Sequence, residues 1–241
     1  MSVGIQVGVT PGANCQYLTD HTKQLAVVMS PEYHQRQRYG ALLAAGFRRS
    51  GNLIYRPHCP SCQACQALRV DVDHYRPSKS QKRHRSQLKR LTMHVSDQLD
   101  DHWFDLYDRY ITARHAEGNM YPAKRQDFLD FIHSRWLTPR FIHLYQNEEP
   151  GSHLVAVAVI DLVDDGLSAL YTFFDPQHRF SLGRVSIQAQ LQLAKSMQLP
   201  WLYLGYQIDA CAAMRYKADY YPHQRFINQQ WRAFSWPVIP Q

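Results

Sequence analysis

No apolar run in the 241 residues comes near the roughly 20 needed to span a bilayer; the longest, residues 154–160, stops far short. The opening stretch MSVGIQVGVTPGANCQYL has neither a cationic start nor an apolar segment, so no signal peptide is expected and the chain is expected in the cytoplasm, away from membranes. Cysteine is scarce, five residues in all, and the odd number argues against a disulfide framework. There is no Walker loop, no HxxxH pair, no Ser/His/Asp order, no internal repeat and no low-complexity linker. Core-forming material is not lacking: hydrophobic residues at 45% and aromatics at 12% exclude wholesale disorder and suit one large domain or two small ones.

Acid is missing from one place in particular. Residues 76–90, RPSKSQKRHRSQLKR, hold Arg76, Lys79, Lys82, Arg83, Arg85, Lys89 and Arg90 and neither Asp nor Glu. The chain has 27 Lys and Arg against 20 Asp and Glu, so this stretch alone carries the formal excess of +7. A polyanion is expected there, against the plainer reading of a solvated helix face. No base-reading motif accompanies the stretch, which favours backbone and shape contacts with a nucleic acid.

Hydrophobic spacing divides the chain into residues 1–96 and 97–241. In the first part Ser30-Pro31 reads as a helix start, with the helix running through Tyr33, Tyr39, Leu42 and Leu43 to a stop at Gly46. Residues 52–55 and 67–72 read as strands, with a cysteine-bearing loop between them. The second part begins with two helical patterns, one through Trp103, Tyr107, Tyr110 and Ile111, the other through Phe128, Ile132 and Trp136. Strands at 140–146, 153–163 and 167–174 follow, joined by turns at 147–151 and 164–166 as an antiparallel meander. A polar loop, a helix carrying Val185, Ala189, Leu193 and Met197, and a strand at 201–206 come next.

Strand, helix, nearby strand in that order places the last two strands side by side and parallel. The helix N-terminus at residues 179–184 then offers free amides to an anion. The arrangement resembles the acetyl-coenzyme A N-acetyltransferase (GNAT) fold, an α+β class with a mixed sheet and flanking helices, here with a smaller N-terminal cysteine-containing region. Gly183 is equally explained by a sharp strand-to-helix turn.

Cys59, Cys62 and Cys65, with two residues between each and the next, could converge on Zn or an iron–sulfur cluster, with Cys15 or His58 as a fourth ligand; the alternative is reduced structural cysteines. Cys211 reads as packing.

Several motifs in register carry a wider resemblance. GFRRSG at 46–51, YRPHCPSCQAC at 55–65 and PSKSQKR at 77–83 resemble the N-terminal region of the aminoacyl-tRNA–protein transferases. CQYL at 15–18 resembles the same family's opening cysteine motif. YTFFDP at 171–176, SLG at 181–183 and YLGY at 203–206 are similar to its C-terminal region. The short length and the CPSCQAC form resemble the bacterial branch, the aspartate/glutamate leucyltransferases.

The resemblance implies transfer of leucine from leucyl-tRNA to the α-amino group of proteins that begin with Asp or Glu, with no cofactor required and a monomer expected. It implies tRNA phosphates on Arg76, Lys79, Lys82, Arg83 and Arg85, and a terminal phosphate at Arg179, Ser181 and Gly183. Arg56, Arg69 and Lys217 are candidates for the acceptor's acidic side chain. Tyr171, Asp175 and Tyr206 are candidates to orient the amine. Arginyl transfer, a coenzyme A-dependent N-acetyltransferase and a non-catalytic tRNA- or degron-binding protein are the competing readings.

Overall fold

The structure, a computed structural model, describes residues 4–148 and 151–236. The first half of the chain holds β1 (Val7–Val9), β2 (Ala13–Asn14), β3 (Thr22–Lys23), β4 (Leu25–Val28), α1 (Arg36–Ala44), β5 (Arg48–Ser50), β6 (Leu53–Pro57), β7 (Gln66–Asp71), α2 (Lys79–Leu88) and β8 (Thr92–Ser96). After α3 (Trp103–Arg114) and α4 (Arg125–Ile132) come β9 (Arg140–Glu148), β10 (Gly151–Val163), β11 (Gly166–Phe174), α5 (Leu182–Ser196), β12 (Trp201–Gln207), β13 (His223–Ile227) and β14 (Gln230–Phe234).

Apolar residues 154–160 become the middle of β10 because both faces of that strand are covered. Ala156, Ala158 and Ile160 pack with α5, while Val157 and Val159 pack with Trp103, Leu106 and Tyr107 of α3 and Phe128 of α4. The eight-stranded sheet runs β14-β13-β7-β12-β11-β10-β9-β8. A second sheet, β1-β4-β6-β5, packs its Val28 and Ile54 with α1, where Tyr39, Leu42 and Leu43 meet Val163 and Tyr203 of the larger sheet. This is the expected α+β architecture of a large mixed sheet with flanking helices. The division at residue 96 falls between β8 and α3, yet β7 and β8 are hydrogen-bonded into the large sheet.

The meander β9-β10-β11 is antiparallel, and β11 pairs with β12 in parallel, as the element order implies. Residues 149 and 150 of the expected first turn lie outside the described residues.

Two helix expectations need correction. Ser30 does not cap a long helix: its hydroxyl accepts the Gln6 N–H at 2.9 Å, a 3₁₀ turn occupies Pro31–Tyr33, and α1 begins only at Arg36. Trp136 lies beyond α4, which stops at Ile132 because the tight turn at Gly51 closes against its end, the Gly51 N–H donating to the Phe131 carbonyl at 2.7 Å. Trp136 instead packs edge-on against Tyr39 and donates its indole N–H to the Asn52 carbonyl. The stop at Gly46 does occur, with φ at 82°, a conformation that glycine adopts without strain.

Candidate active site

The parallel pair β11–β12 is short. Its register covers Gly166↔Trp201, Leu167↔Leu202 and Ser168↔Tyr203 and then ends, although both strands continue. Beyond that point β11 stays bonded to β10 and β12 to β7, so residues 169–174 and 204–207 face each other across a gap with no ladder between them. Such facing edges can bond an extended ligand through the main chain.

A bulge shapes the β12 side. Tyr203 pairs with Arg69 but Gly205 with Leu68, leaving Leu204 as the extra residue, and Gly205 adopts φ 84°. The bulge keeps Tyr206 on the same face as Tyr203, toward the smaller sheet. There the Tyr206 hydroxyl donates to the Gly46 carbonyl at 2.9 Å, with the Tyr55 carbonyl at 3.4 Å. Burial pushes this phenol well above its usual pKa.

Lys217 closes the site from a 3₁₀ segment, Arg215–Asp219, and donates to the Tyr206 carbonyl at 2.7 Å. Burial, and then the charge of Arg48, lower its pKa to about 8. Arg48 itself is nearly inaccessible, with Nη1 donating to the Ser168 hydroxyl at 3.2 Å at the point where the strands part.

Across the gap, Tyr171 packs against Tyr107, Phe128 and Phe131 and donates its hydroxyl to the Met120 sulfur at 3.5 Å. Burial raises its pKa too, reinforced by Tyr110 and Tyr107. Asp175 follows the end of β11; its carboxylate accepts the Gln177 N–H at 3.0 Å and lies 3.9 Å from Arg109. Tyr171 and Asp175 thus stand on one side of the gap and Tyr206 on the other, and among the described residues no hydrogen bond or ring contact joins the three.

The acceptor candidates separate. Arg56 lines a cavity of about 640 Å³ together with Tyr206, Gly46 and the cysteine loop, its guanidinium stacked 4.8 Å from the Phe47 ring centre. Arg69 is held elsewhere, stacked 3.9 Å from one ring centre of Trp201 and 4.3 Å from one of Trp231, with Nε and Nη2 on Gln224.

The acid-free stretch forms α2, where Ser78 and Gln81 make a reciprocal capping box. Gln81, His84 and Leu88 turn inward, leaving Lys79, Lys82, Arg83 and Arg85 exposed, with Arg76 exposed just ahead of the helix. α2 packs on α5, whose N-terminus carries the other anion candidates. Arg90, just beyond α2, lies 5.4 Å from the ring centre of Phe180, and Arg179 lies 5.1 Å from the same centre, so the basic helix and the α5 loop form one cationic face. Among the described residues Ser181 makes no side-chain cap. Gly183 has a packing reason of its own, since a Cβ there would come within 3.0 Å of the Phe174 ring.

Cys15, Cys59, Cys62 and Cys65 all line the 640 Å³ cavity. Burial, then the neighbouring Cys59, Cys15 and Cys62, push the Cys65 thiol up to about 11, so it is protonated at neutral pH. Among the described residues no three His, Cys, Asp or Glu side chains converge as a metal ion requires.

Sequence reasoning missed Arg48. Only its place within GFRRSG pointed to it, since spacing does not reveal a buried cation.

Comparison with known proteins finds the N-terminal part of the arginine-tRNA-protein transferases at residues 13–83 and their C-terminal part at residues 102–227. The aspartate/glutamate leucyltransferase of Vibrio vulnificus strain CMCP6 is 45% identical over 228 residues, covering 95% of this chain and 97% of that one. The Vibrio cholerae serotype O1 strain M66-2 protein of the same name is 46% identical over 232 residues, covering 95% and 97%. The one from Aeromonas salmonicida strain A449 is 44% identical over 229 residues, covering 95% and 94%.

Proposed function

The chain belongs to the arginine-tRNA-protein transferase family, and from that premise we propose that it transfers leucine from leucyl-tRNA to the α-amino group of proteins beginning with Asp or Glu, marking them for N-degron degradation. The observation that supports this beyond kinship is the parting of β11 from β12 next to the cationic face of α2 and α5. A gap with free strand edges suits the extended aminoacyl end, and the cationic face suits the phosphates that lead to it.

The amine's lone pair attacks the ester carbonyl, a tetrahedral oxyanion forms, and the C–O bond to the terminal ribose breaks as that oxygen takes up a proton. The ester is already activated, so ATP and a covalent enzyme intermediate are unnecessary. Alignment and oxyanion stabilisation supply the acceleration. An α-amino group with a pKa of about 7.7–8.0 has a useful neutral fraction at cytosolic pH without a strong base.

Tyr171 and Asp175 on one lip of the gap, and Tyr206 on the other, are proposed to orient the amine. Arg76, Lys79, Lys82, Arg83 and Arg85 are proposed to hold tRNA phosphates, with Arg179, Ser181 and Gly183 nearest the aminoacyl end. Arg56 and Lys217, both beside Tyr206, fit the acidic acceptor better than Arg69, whose donors are engaged. We read the sheet as N-acetyltransferase-like, on the strength of its meander, connecting helix and splitting parallel pair. Coenzyme A is disfavoured by a loop with a single glycine that Phe174 already accounts for.

Incubating the protein with tRNA charged with labelled leucine or arginine and with Asp-, Glu- and Lys-initiated peptides tests the proposal. Leucine is expected on the first two peptides alone. Arginine transfer would reassign the donor, and no transfer at all would leave a binding protein.

A further inference from the structure

We propose that Arg48, with Lys217 beside it, reads the first residue of the incoming protein by gripping its side-chain carboxylate under the gap between β11 and β12. The proposal deepens the transferase reading above and rests on it.

Arg48 and Arg49 are consecutive on β5 and both are buried, at 6% and 1% exposure. Asp161 is the buried carboxylate facing them, and Arg49 takes both of its oxygens, through Nε at 2.7 Å and Nη2 at 2.6 Å. The direct contacts left to Arg48 are neutral, the Ser168 hydroxyl on Nη1 and the Tyr203 ring, whose centre lies 5.4 Å from the guanidinium carbon, and Asp161 acts on it only through space. Among the described residues its Nε and Nη2 are buried with no hydrogen-bond partner. Lys217 adds a second positive charge within electrostatic reach, and the atom it bonds is a neutral carbonyl. A guanidinium kept out of water with no anion to itself is costly, and a ligand that brings the anion removes the cost.

The free edge also selects the shape of the anion. Nε and Nη2 form the two-pronged side of the fork, the side with which neighbouring Arg49 holds a carboxylate. A planar carboxylate fills both prongs. An Asn or Gln side chain would turn its NH₂ toward one of them, so the site separates acid from amide.

Its position suits the reaction. Ser168 is the last paired residue of β11, and Arg48 acts electrostatically on Tyr206, which walls the 640 Å³ cavity.

The test compares kcat/KM for peptides identical except for Glu or Gln, and Asp or Asn, at the first position, with leucyl-tRNA as donor. In Arg48→Gln the acid-over-amide ratio is expected to fall by about a hundredfold, because a buried charge partner has gone. A lower rate with the ratio preserved would assign Arg48 to the scaffold and overturn the proposal. Should Arg48→Gln fail to fold, Arg48→Lys decides, since it keeps the charge without the fork. A tenfold or greater loss of the ratio supports the reading, and an unchanged ratio overturns it. Wild-type protein that transfers leucine to no peptide would sink the transferase reading itself, a result distinct from either variant's.

Discussion

Arg49 faces Asp161 in a two-pronged ion pair from which water is wholly excluded, both side chains having no exposed surface. The pair fastens β5 of the smaller sheet to β10 of the larger. Removing one partner strands a charge, so Arg49→Met is expected to cost about 3–5 kcal/mol of stability. The double variant Arg49→Met with Asp161→Leu is expected to recover most of it, and urea unfolding of the three proteins measures both.

Acid is expected to weaken the fold through two histidines. Burial is the first cause that lowers His143 and His223 to about 4, followed by His94 for the former and Arg225 for the latter. In each, one ring nitrogen accepts a hydrogen bond, His143 Nε2 from the Asp100 N–H at 3.2 Å and His223 Nε2 from Arg225 Nε at 3.3 Å, and protonation there would break it. Between the ordinary value of 6.5 and about 4 the unfolded chain binds the proton and the folded one does not, so stability falls as pH drops through that window. The slope is at most about 1.4 kcal/mol per pH unit for each histidine. Urea midpoints from pH 7 to 4.5 should show His143→Asn with a shallower fall than wild type.

Salt dependence should locate the tRNA. The inward side of α2 is Gln81, His84 and Leu88, so changing Lys79, Lys82 and Arg83 to Ala leaves its packing alone. The slope of log K against log salt is expected to drop by roughly 0.7–0.9 for each phosphate no longer neutralised. An unchanged slope in filter binding would place the tRNA elsewhere.

Chelation is expected to leave leucine transfer unchanged, because the ester needs no further activation. If Zn or a cluster does sit among Cys15, Cys59, Cys62 and Cys65, metal analysis will find about one equivalent, and the chelator will shift the melting temperature rather than the rate. A rate that vanishes on chelation and returns with metal would contradict this.

What could be read from the sequence was what local pattern encodes. The meander, α5 and the parallel β11–β12 pair followed from apolar spacing and element order. Much of the rest depended on partners far away in the chain. α2 shows no apolar period because Gln81 and His84 occupy two of its inward positions, Gln81 being drawn in by the Asp219 carbonyl at 3.1 Å. The β13–β14 hairpin turns at Asn228 and Gln229 with φ of 50° and 60°, where a glycine would have signalled it. Ser30 looked like a cap only because Gln6, its actual partner, lies 24 residues earlier. Arg48 was hidden for the same reason: its importance lies in the partner it lacks, which no spacing rule records.

Strand β7 has a consequence for how the protein comes to exist. It is made early, yet both of its neighbours, β12 and β13, are made late, its register partners being residues 201–207 and 223–225. While the chain is still emerging from the ribosome, the centre of the large sheet is open on both sides, and contacts of such long sequence separation are slow to close. Loss of even the last few dozen codons would therefore remove the partners of an early strand along with the late ones. A molecule that inspects the first residue of other proteins can begin only when its own synthesis is nearly over.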